Sequence, residues 1–307
     1  MRYFIFYSIF FWFGCTHLLS QTPANKVLYL NSYHAGYSSS DSVMAAIKEA
    51  FGKNKNILLQ TFFFNAKKEN DAPSINKNVQ LFLKQYDAFQ PDLLIVSDDD
   101  AMREIVVPFI LKDSIPVVFC GINWSTEEYH LPKTTTAGML EVLPIKSLFR
   151  EMKKRYPAAK RITVLSESSP VEKKNTLYLN PIFKKLNLAA TYELVNDFAT
   201  WKIKFEEANK LSDIIYLPTN GTIKGWDVEE AKNFIKATIK KPVVTCDDFM
   251  MPYAVYGETK IAKEQGEWAA ATALAILSGK AAERIGVAQN RLSKRWLNQE
   301  LAKRIGF

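Results

Sequence analysis

The stretch DLLIVSDDDA, residues 92–101, decides the fold of this chain. The apolar run Leu93–Ser97 lacks the alternation of a half-buried strand, and it is typical of a strand buried on both faces of a parallel sheet. In open α/β sheets, ligands bind beyond the carboxyl ends of such strands, where the three aspartates fall. We expect Asp100 to cap the following helix, and Asp98 and Asp99 to face a ligand. The alternative is one capping aspartate beside two solvated loop carboxylates.

The same pattern, an apolar strand with a polar tip, occurs at five other places in the chain. These segments are VLYLNSYH (27–34), PVVFCGIN (116–123), ITVLSES (162–168), IIYLPTN (214–220) and PVVTCDD (242–248). Segments with helical periodicity separate them, and this alternation predicts an α/β fold with parallel sheets and right-handed crossovers. A length of 307 residues with 48% hydrophobic content suits two such α/β halves.

We predict that the two halves form separate lobes around a shared rim of polar strand tips. The first lobe is expected over residues 26–140 and is completed by a later segment at about 258–282. The second lobe is expected over residues 141–250, with completion by about 283–307. The link around residues 137–144 is the candidate crossing between the lobes.

Residues 1–20 have the character of a secretory signal peptide. One positive charge, Arg2, precedes a run rich in Phe, Ile, Tyr and Trp, and the small Ser20 offers a cleavage position. A lipoprotein signal with lipidation at Cys15 and an uncleaved anchor are the alternatives that the sequence leaves open. The expected location is the periplasm or the cell envelope.

Two cysteines follow this leader, Cys120 and Cys246, and both lie at the ends of predicted strands. Export would permit a disulfide bond between them. The two strands are assigned to different lobes, so we expect two buried free thiols instead.

The formal net charge of +8 is spread over many predicted helices and is not gathered into one patch. A nucleic-acid surface needs basic residues concentrated on one face, so no nucleic-acid partner is expected. His34 and His130 do not supply the convergent ligands of a zinc site, and no cofactor-binding motif is present. A small-molecule ligand, without metal or cofactor, is the remaining expectation.

Several motifs resemble those of one protein family. NSYHAGY (31–37), SDDDA (97–101) and FCGIN (119–123) are similar to the N-terminal half of the type I periplasmic substrate-binding proteins of ABC transporters. GEWAAATALAILSGK (266–280) is similar to a late helix of the family, and LNQELAKRIGF (297–307) to its terminal signature. The branch in question includes tryptophan- and tyrosine-binding members and related extracellular sensor domains.

This resemblance implies two Rossmann-like lobes joined by a three-stranded hinge, with a ligand between them and no catalysis. A monomer would capture a small organic ligand, such as an amino acid, in the interlobe cleft and deliver it to an ABC permease. The alternative in the same fold is an extracellular receptor whose loaded form docks on a sensor kinase.

The polar strand tips supply the predicted ligand-binding residues. In the first lobe these are Asn31, Ser32, Tyr33, Tyr37, Asp98, Asp99, Gly121 and Asn123. In the second lobe they are Glu167, Ser168, Thr219, Asn220, Asp247 and Asp248. Because the set is acidic and buried carboxylates need a partner, we expect a ligand with an ammonium or other cationic group. Its carboxylate would lie at a helix N-terminus near Ser168 or Ser32.

Structural roles are the alternative for several of these residues. Tyr33 and Tyr37 could pack under their own loop, and Asp247 and Asp248 could cap the hinge. The aspartate run at 98–100 also has the D-x-D spacing with which glycosyltransferases hold a metal and a nucleotide sugar. An exported chain would meet no nucleotide sugar, so we predict a binding protein and not an enzyme.

Overall fold

The computed structural model describes residues 24–54 and 56–307. The predicted signal peptide at residues 1–20 and the alternative lipidation site Cys15 lie outside the described residues. Two six-stranded sheets form the frame of the described part, and helices cover both faces of each. We call each sheet with its helices a lobe.

The sheet of the first lobe is parallel throughout, with strand order β2-β1-β3-β4-β5-β11. Its strands are β1 (Asn25–Asn31), β2 (Ile57–Phe63), β3 (Leu93–Ser97), β4 (Val117–Asn123), β5 (Thr136–Glu141) and β11 (Val287–Gln289). Its helices are α1 (Ser38–Gly52), α2 (Ala72–Phe89), α3 (Asp99–Ala101), α8 (Ala262–Leu277) and α9 (Ala282–Ile285). Helix α3 continues as a π-helical segment over Met102–Ile110.

The sheet of the second lobe has strand order β7-β6-β8-β9-β10-β12, with β12 antiparallel to its neighbour. Its strands are β6 (Arg161–Glu167), β7 (Ala189–Val195), β8 (Ile214–Tyr216), β9 (Val243–Thr245), β10 (Tyr256–Lys260) and β12 (Ser293–Leu297). Its helices are α4 (Ile145–Arg155), α5 (Pro170–Lys185), α6 (Phe198–Leu211), α7 (Val228–Thr238) and α10 (Gln299–Ile305). Short 3₁₀ helices occupy Glu127–Tyr129 in the first lobe and Asp248–Tyr253 in the second.

Strand β3 has the double burial that its sequence predicts, and all five of its residues are buried. Leu94 and Val96 pack with α2 and the π-helical segment, while Leu93 and Ile95 face α1 and α8. The parallel sheet with helices on both faces confirms the predicted fold class. It also brings the ends of β1, β3 and β4 to one edge of the sheet.

The chain crosses between the lobes three times, after Glu141, after Lys260 and after Gln289. Two details differ from the expected lobe composition. Residues 256–260 form a strand of the second sheet, and residues 287–289 form one of the first. Both strands are short and lack a long apolar run, so their pairing partners, and not their own residues, decide which sheet they join.

Cys120 lies in β4 and Cys246 directly follows β9, so the two cysteines belong to different sheets. Both are buried and free, as expected. Within residues 24–54 and 56–307, no helix is both long and apolar enough to cross a bilayer.

Candidate functional site

A narrow cavity lies between the lobes, where the carboxyl ends of the two sheets face each other. It is lined by Tyr33, Tyr37, Ser39, Lys67, Asp98, Asn123, Glu141, Leu143, Val171, Glu172, Asn175, Pro218, Thr219, Asp247, Phe249 and Lys260. The enclosed space is about 40 Å³, and one water molecule needs roughly 10–15 Å³ of such space. The lobes therefore have to part before a ligand larger than a few waters can enter.

Asp98 presents its carboxylate to this cavity from the end of β3. Its backbone has φ +67° and ψ 164°, a region that residues other than glycine rarely occupy. No described side chain or backbone group donates a hydrogen bond to its carboxylate. Burial, followed by repulsion from the carboxylate of Glu141, raises the pKa of Asp98 above its usual value. Asp98 is therefore a strained, unpartnered acid at the centre of the cleft.

The other two aspartates of the run have structural partners. Asp99 is buried, and its carboxylate accepts hydrogen bonds from Asn123, at 2.7 and 3.0 Å, and from the Tyr129 hydroxyl at 2.7 Å. Asp100 does not cap the helix as expected, because the helix already begins at Asp99. Its carboxylate pairs with Arg103 at 2.7 Å instead.

Two lysines tie the lobes together across the cleft. Lys67, which follows β2 in the first lobe, forms a buried ion pair with Glu167 at the end of β6 in the second. Burial alone would lower the pKa of Lys67, but Glu167 raises it above the usual range of a lysine. Lys174 on α5 reaches back to Asp99 and Glu128 of the first lobe, at 2.7 Å each.

Lys260 is the charged centre of the hinge. Its ammonium group pairs with Glu141, at the end of β5, and with Asp247 at 3.1 Å. Burial alone would lower the pKa of Lys260, whereas Asp247 and Glu141 raise it above the usual value. Glu141 ends β5 in the first lobe and Asp247 follows β9 in the second, so Lys260 joins both lobes through its two partners.

Glu172 faces the cavity from the first turn of α5 and is only 3% exposed. Asn175 donates a hydrogen bond to its carboxylate at 2.7 Å, and no ion pair reaches it from the described residues. Burial, followed by repulsion from the Glu167 carboxylate, raises the pKa of Glu172 to about 7. Glu172 therefore titrates near neutral pH and is sensitive to any charge placed in the cleft.

Aromatic rings form the remaining wall. Tyr37 packs between Tyr33 and Phe249, with ring centroids 4.9 and 5.7 Å apart, and its hydroxyl lies 3.4 Å from that of Thr219. Outside the cavity lining, Trp124 of the first lobe stacks on Tyr178 of the second, with ring centroids 5.3 Å apart. These rings offer an apolar surface for a ligand and contacts that exist only when the lobes are together.

Six of the predicted ligand-binding residues line the cavity: Tyr33, Tyr37, Asp98, Asn123, Thr219 and Asp247. Three other predicted residues, Asn31, Ser32 and Gly121, lie behind the lining and support it. Asn31 accepts hydrogen bonds from the Tyr33 backbone and the Ser40 hydroxyl, and Ser32 links the Ser97 carbonyl to the Ala101 amide. Gly121, at φ +72°, leaves room for Asp98, since a Cβ atom there would lie 3.0 Å from its carboxylate.

Five predicted residues lie outside the lining. The carboxylates of Asp99 and Glu167 are taken up by the ion pairs described above. Ser168 lines a separate interlobe groove together with Lys67 and Arg103. Asn220 is half-buried in the loop after β8, and Asp248 is exposed at the start of its 3₁₀ helix.

Sequence reasoning missed several polar lining residues, namely Lys67, Glu141, Glu172, Asn175 and Lys260. Lys67 follows strand β2 in the same way that the predicted tips follow theirs, so that pattern could have found it. Glu172 and Asn175 lie one helical turn apart on α5, and nothing in the sequence alone shows which face meets the cleft. Among the described residues, no group of three or more His, Cys, Asp or Glu side chains is arranged to hold a metal ion.

A family model described as ABC transporter substrate binding protein matches residues 32–307. The chain therefore belongs to the family of ABC transporter substrate-binding proteins, as the sequence motifs suggested. Membership in a substrate-binding family supports a protein that binds its ligand and does not transform it. No protein of curated function matches the sequence.

Solved structures share the fold at low sequence identity. A conserved domain protein from Vibrio cholerae has a TM-score of 0.72 and 16% identity, covering 93% of this chain and 95% of its own. An ABC domain from Streptococcus pneumoniae in complex with L-Trp has a TM-score of 0.70, with the same identity and coverage. A ligand-free, open substrate-binding protein from Clostridium difficile has a TM-score of 0.68 and 16% identity, covering 92% and 95%. These similarities confirm the two-lobed type I binding fold.

Proposed function

We propose that this chain is an exported solute-binding protein that closes on a small ligand with an ammonium group, such as an amino acid, and delivers it to an ABC permease. The observation that carries this proposal is Asp98. Its carboxylate faces the cavity without a hydrogen-bond partner among the described residues, on a strained backbone. Strain of this kind costs about 1–3 kcal/mol and is typical of ligand sites.

The other residues that line the cavity suit the carboxylate and the side chain of an amino acid. Ser39, in the first turn of helix α1, lines the cavity, and the side chain of the N-cap residue Tyr37 makes no capping hydrogen bond. The free N–H groups and the dipole of a helix N-terminus favour a carboxylate. Tyr33, Tyr37 and Phe249 offer ring faces to an apolar or aromatic side chain. The L-Trp bound by the Streptococcus pneumoniae protein is a precedent in the same fold.

Closure is the proposed mechanism of capture. The ion pairs of Lys67 and Lys174 and the Trp124–Tyr178 stack join the two lobes directly. A ligand that contacts both lobes stabilises this closed form by its differential affinity for it. The closed outer surface is then the form that a permease would bind.

A thermal-shift screen against amino acids, amines and sugars tests the ligand class. A ligand at a hundred times its dissociation constant should stabilise the protein by about 2.7 kcal/mol. We expect Asp98→Asn to abolish the shift while the ligand-free protein still folds. Asp87→Asn makes the same change at an exposed carboxylate on α2 and should leave the shift intact.

An unaltered shift in Asp98→Asn would remove Asp98 from the site. A shift produced by uncharged sugars alone would contradict the proposed ligand class.

Delivery to a permease requires a separate measurement. We expect the purified protein to be a monomer in light scattering and to stimulate ligand-dependent ATP hydrolysis by its permease complex in membrane vesicles. Ligand-dependent binding to the extracellular domain of a sensor kinase, without such stimulation, would instead favour the receptor alternative.

A further inference from the structure

The charged groups of the cavity do not balance one another. Among the described residues its lining contains four carboxyl groups and two ammonium groups. Lys67 is paired with Glu167, which lies just behind the lining, and Lys260 is paired with Glu141 and Asp247. Both ammonium groups of the lining are therefore already engaged. Asp98 and Glu172 are left facing the cavity with no cation paired to them.

These two acids stand on opposite lobes. Asp98 ends β3 in the first lobe, and Glu172 lies in the first turn of α5 in the second. Buried carboxylates are costly unless a cation or several hydrogen bonds satisfy them. Glu172 is 3% exposed, and the described side chains that hydrogen-bond its carboxylate, Asn175 and Ser166, are both uncharged. A single ammonium group on the ligand would leave the pair of acids with one net negative charge.

We propose that the ligand of this cleft carries two separate cationic groups, one held by Asp98 on the first lobe and the other by Glu172 on the second. This inference rests on the proposed function and narrows its ligand class. An aliphatic diamine and an amino acid with a basic side chain share this chemistry. In either case the ligand itself becomes the charged bridge between the lobes. The rings of Tyr33, Tyr37 and Phe249 would cover its alkyl stem.

Isothermal titration calorimetry on the whole mature chain tests this inference with four ligands. L-lysine and 1,5-diaminopentane each have two ammonium groups, L-norleucine matches lysine without the second amine, and L-tryptophan is a large neutral side-chain control. We expect at least one of the two dications to bind about 30-fold or more tightly than norleucine, as is usual when a buried charge loses its partner. Binding of the diamine but not lysine would identify a ligand without a carboxylate, and the reverse would identify a basic amino acid.

Two variants locate the second cation. Glu172→Gln should weaken binding of the dication much more than binding of norleucine and so remove the preference, whereas Asp98→Asn should weaken binding of both ligands to a similar extent. Glu283→Gln makes the same chemical change at an exposed site on α9 and should behave as the wild type. Retained preference in a folded Glu172→Gln variant would overturn the assignment of Glu172.

The order of the four ligand affinities in the wild-type protein tests the inference even if a variant fails to fold. Norleucine or tryptophan binding as tightly as the dications would overturn the two-cation ligand and leave the proposed function standing. No binding by any of the four ligands would overturn both.

Discussion

Asp98, the acid that we propose binds the ligand, is held in one orientation by the backbone and the residues around it. Its φ of +67° with ψ near 164° is a conformation that suits glycine, yet an acid occupies it. The backbone N–H of Asp98 donates a hydrogen bond to the Cys120 carbonyl at 2.9 Å. Gly121, which has no side chain, leaves space for the Asp98 carboxylate. The surrounding sheet thus keeps the acid pointed into the cleft, so the orientation exists before a ligand arrives.

Glu172 makes stability depend on pH. Its pKa of about 7 in the folded chain exceeds the value of 4.5 that applies when it is exposed, so between these two values the folded state holds a proton that the unfolded state has released. The free energy of unfolding should therefore fall as pH rises from 4.5 through 7, by roughly 3 kcal/mol from this group. We expect Glu172→Gln to remove this part of the slope in urea unfolding measured from pH 5 to pH 8.

The exposed substitution Glu283→Gln serves as the control and should keep the wild-type slope. An equal slope in Glu172→Gln and wild type would show that Glu172 is not the group responsible.

At the scale of residues, the sequence predicted that acids lie at the strand ends, but it did not predict that each of them makes a different contact. Asp98, Asp99 and Asp100 are equivalent in the run, yet one faces the cleft, one anchors Asn123 and one pairs with Arg103. These different contacts depend on the backbone angle at Asp98 and on partner residues from other parts of the chain. Neither can be read from the three aspartates alone.

At the scale of elements, α1 and α8 pack so closely that a glycine is required at their contact. A Cβ atom on Gly266 would lie 2.3 Å from the Val43 carbonyl oxygen and 2.8 Å from the Ala46 Cβ atom. Neither contact is the end of a flexible side chain, so the helices would have to move apart.

We therefore expect Gly266→Ala to destabilise the protein by about 1–3 kcal/mol, despite the better helix propensity of alanine. The midpoint of thermal unfolding measures this loss of stability. Gly52→Ala at the end of α1 is the matched control, because a Cβ atom there meets nothing within 4 Å. A Gly266→Ala variant as stable as Gly52→Ala would contradict the close packing.

Elements with a strong local signal were predicted well. Strand β3 has the bounds that its apolar run predicts, Leu93–Ser97. The wrong sheet assignments concern short strands that have no long apolar run in the sequence. Strands β10 and β11 join sheets that the sequence did not assign to them, because their pairing partners, β9 and β12 for β10 and β5 for β11, decide their place.

At the scale of the whole molecule, Lys174 links the lobes at the mouth of the cleft. Its ammonium group contacts Asp99 and Glu128, both in the first lobe, and the Ser125 carbonyl. Asp99 keeps its bonds to Asn123 and Tyr129 when the lobes part, so losing Lys174 should affect the closed form alone.

We expect Lys174→Gln to shift the ligand-free protein toward an open form, with a larger radius of gyration in small-angle X-ray scattering. Tryptophan fluorescence should change in parallel as Trp124 leaves Tyr178. Lys173→Gln alters the exposed neighbouring lysine and should leave the radius as in the wild type. Identical scattering from the two variants would show that Lys174 does not hold the lobes together.

The three crossings also set the order in which the molecule can be assembled. Helix α1, made early, needs α8 to cover it, and the second core takes Leu301 and Ala302 from α10. Most of the chain must therefore be synthesised before these two clusters are complete, whereas the other cluster of the first lobe needs only residues 28–142. If the chain is exported as we propose, late completion of these clusters would favour translocation, because an unfolded polypeptide can pass through a membrane channel.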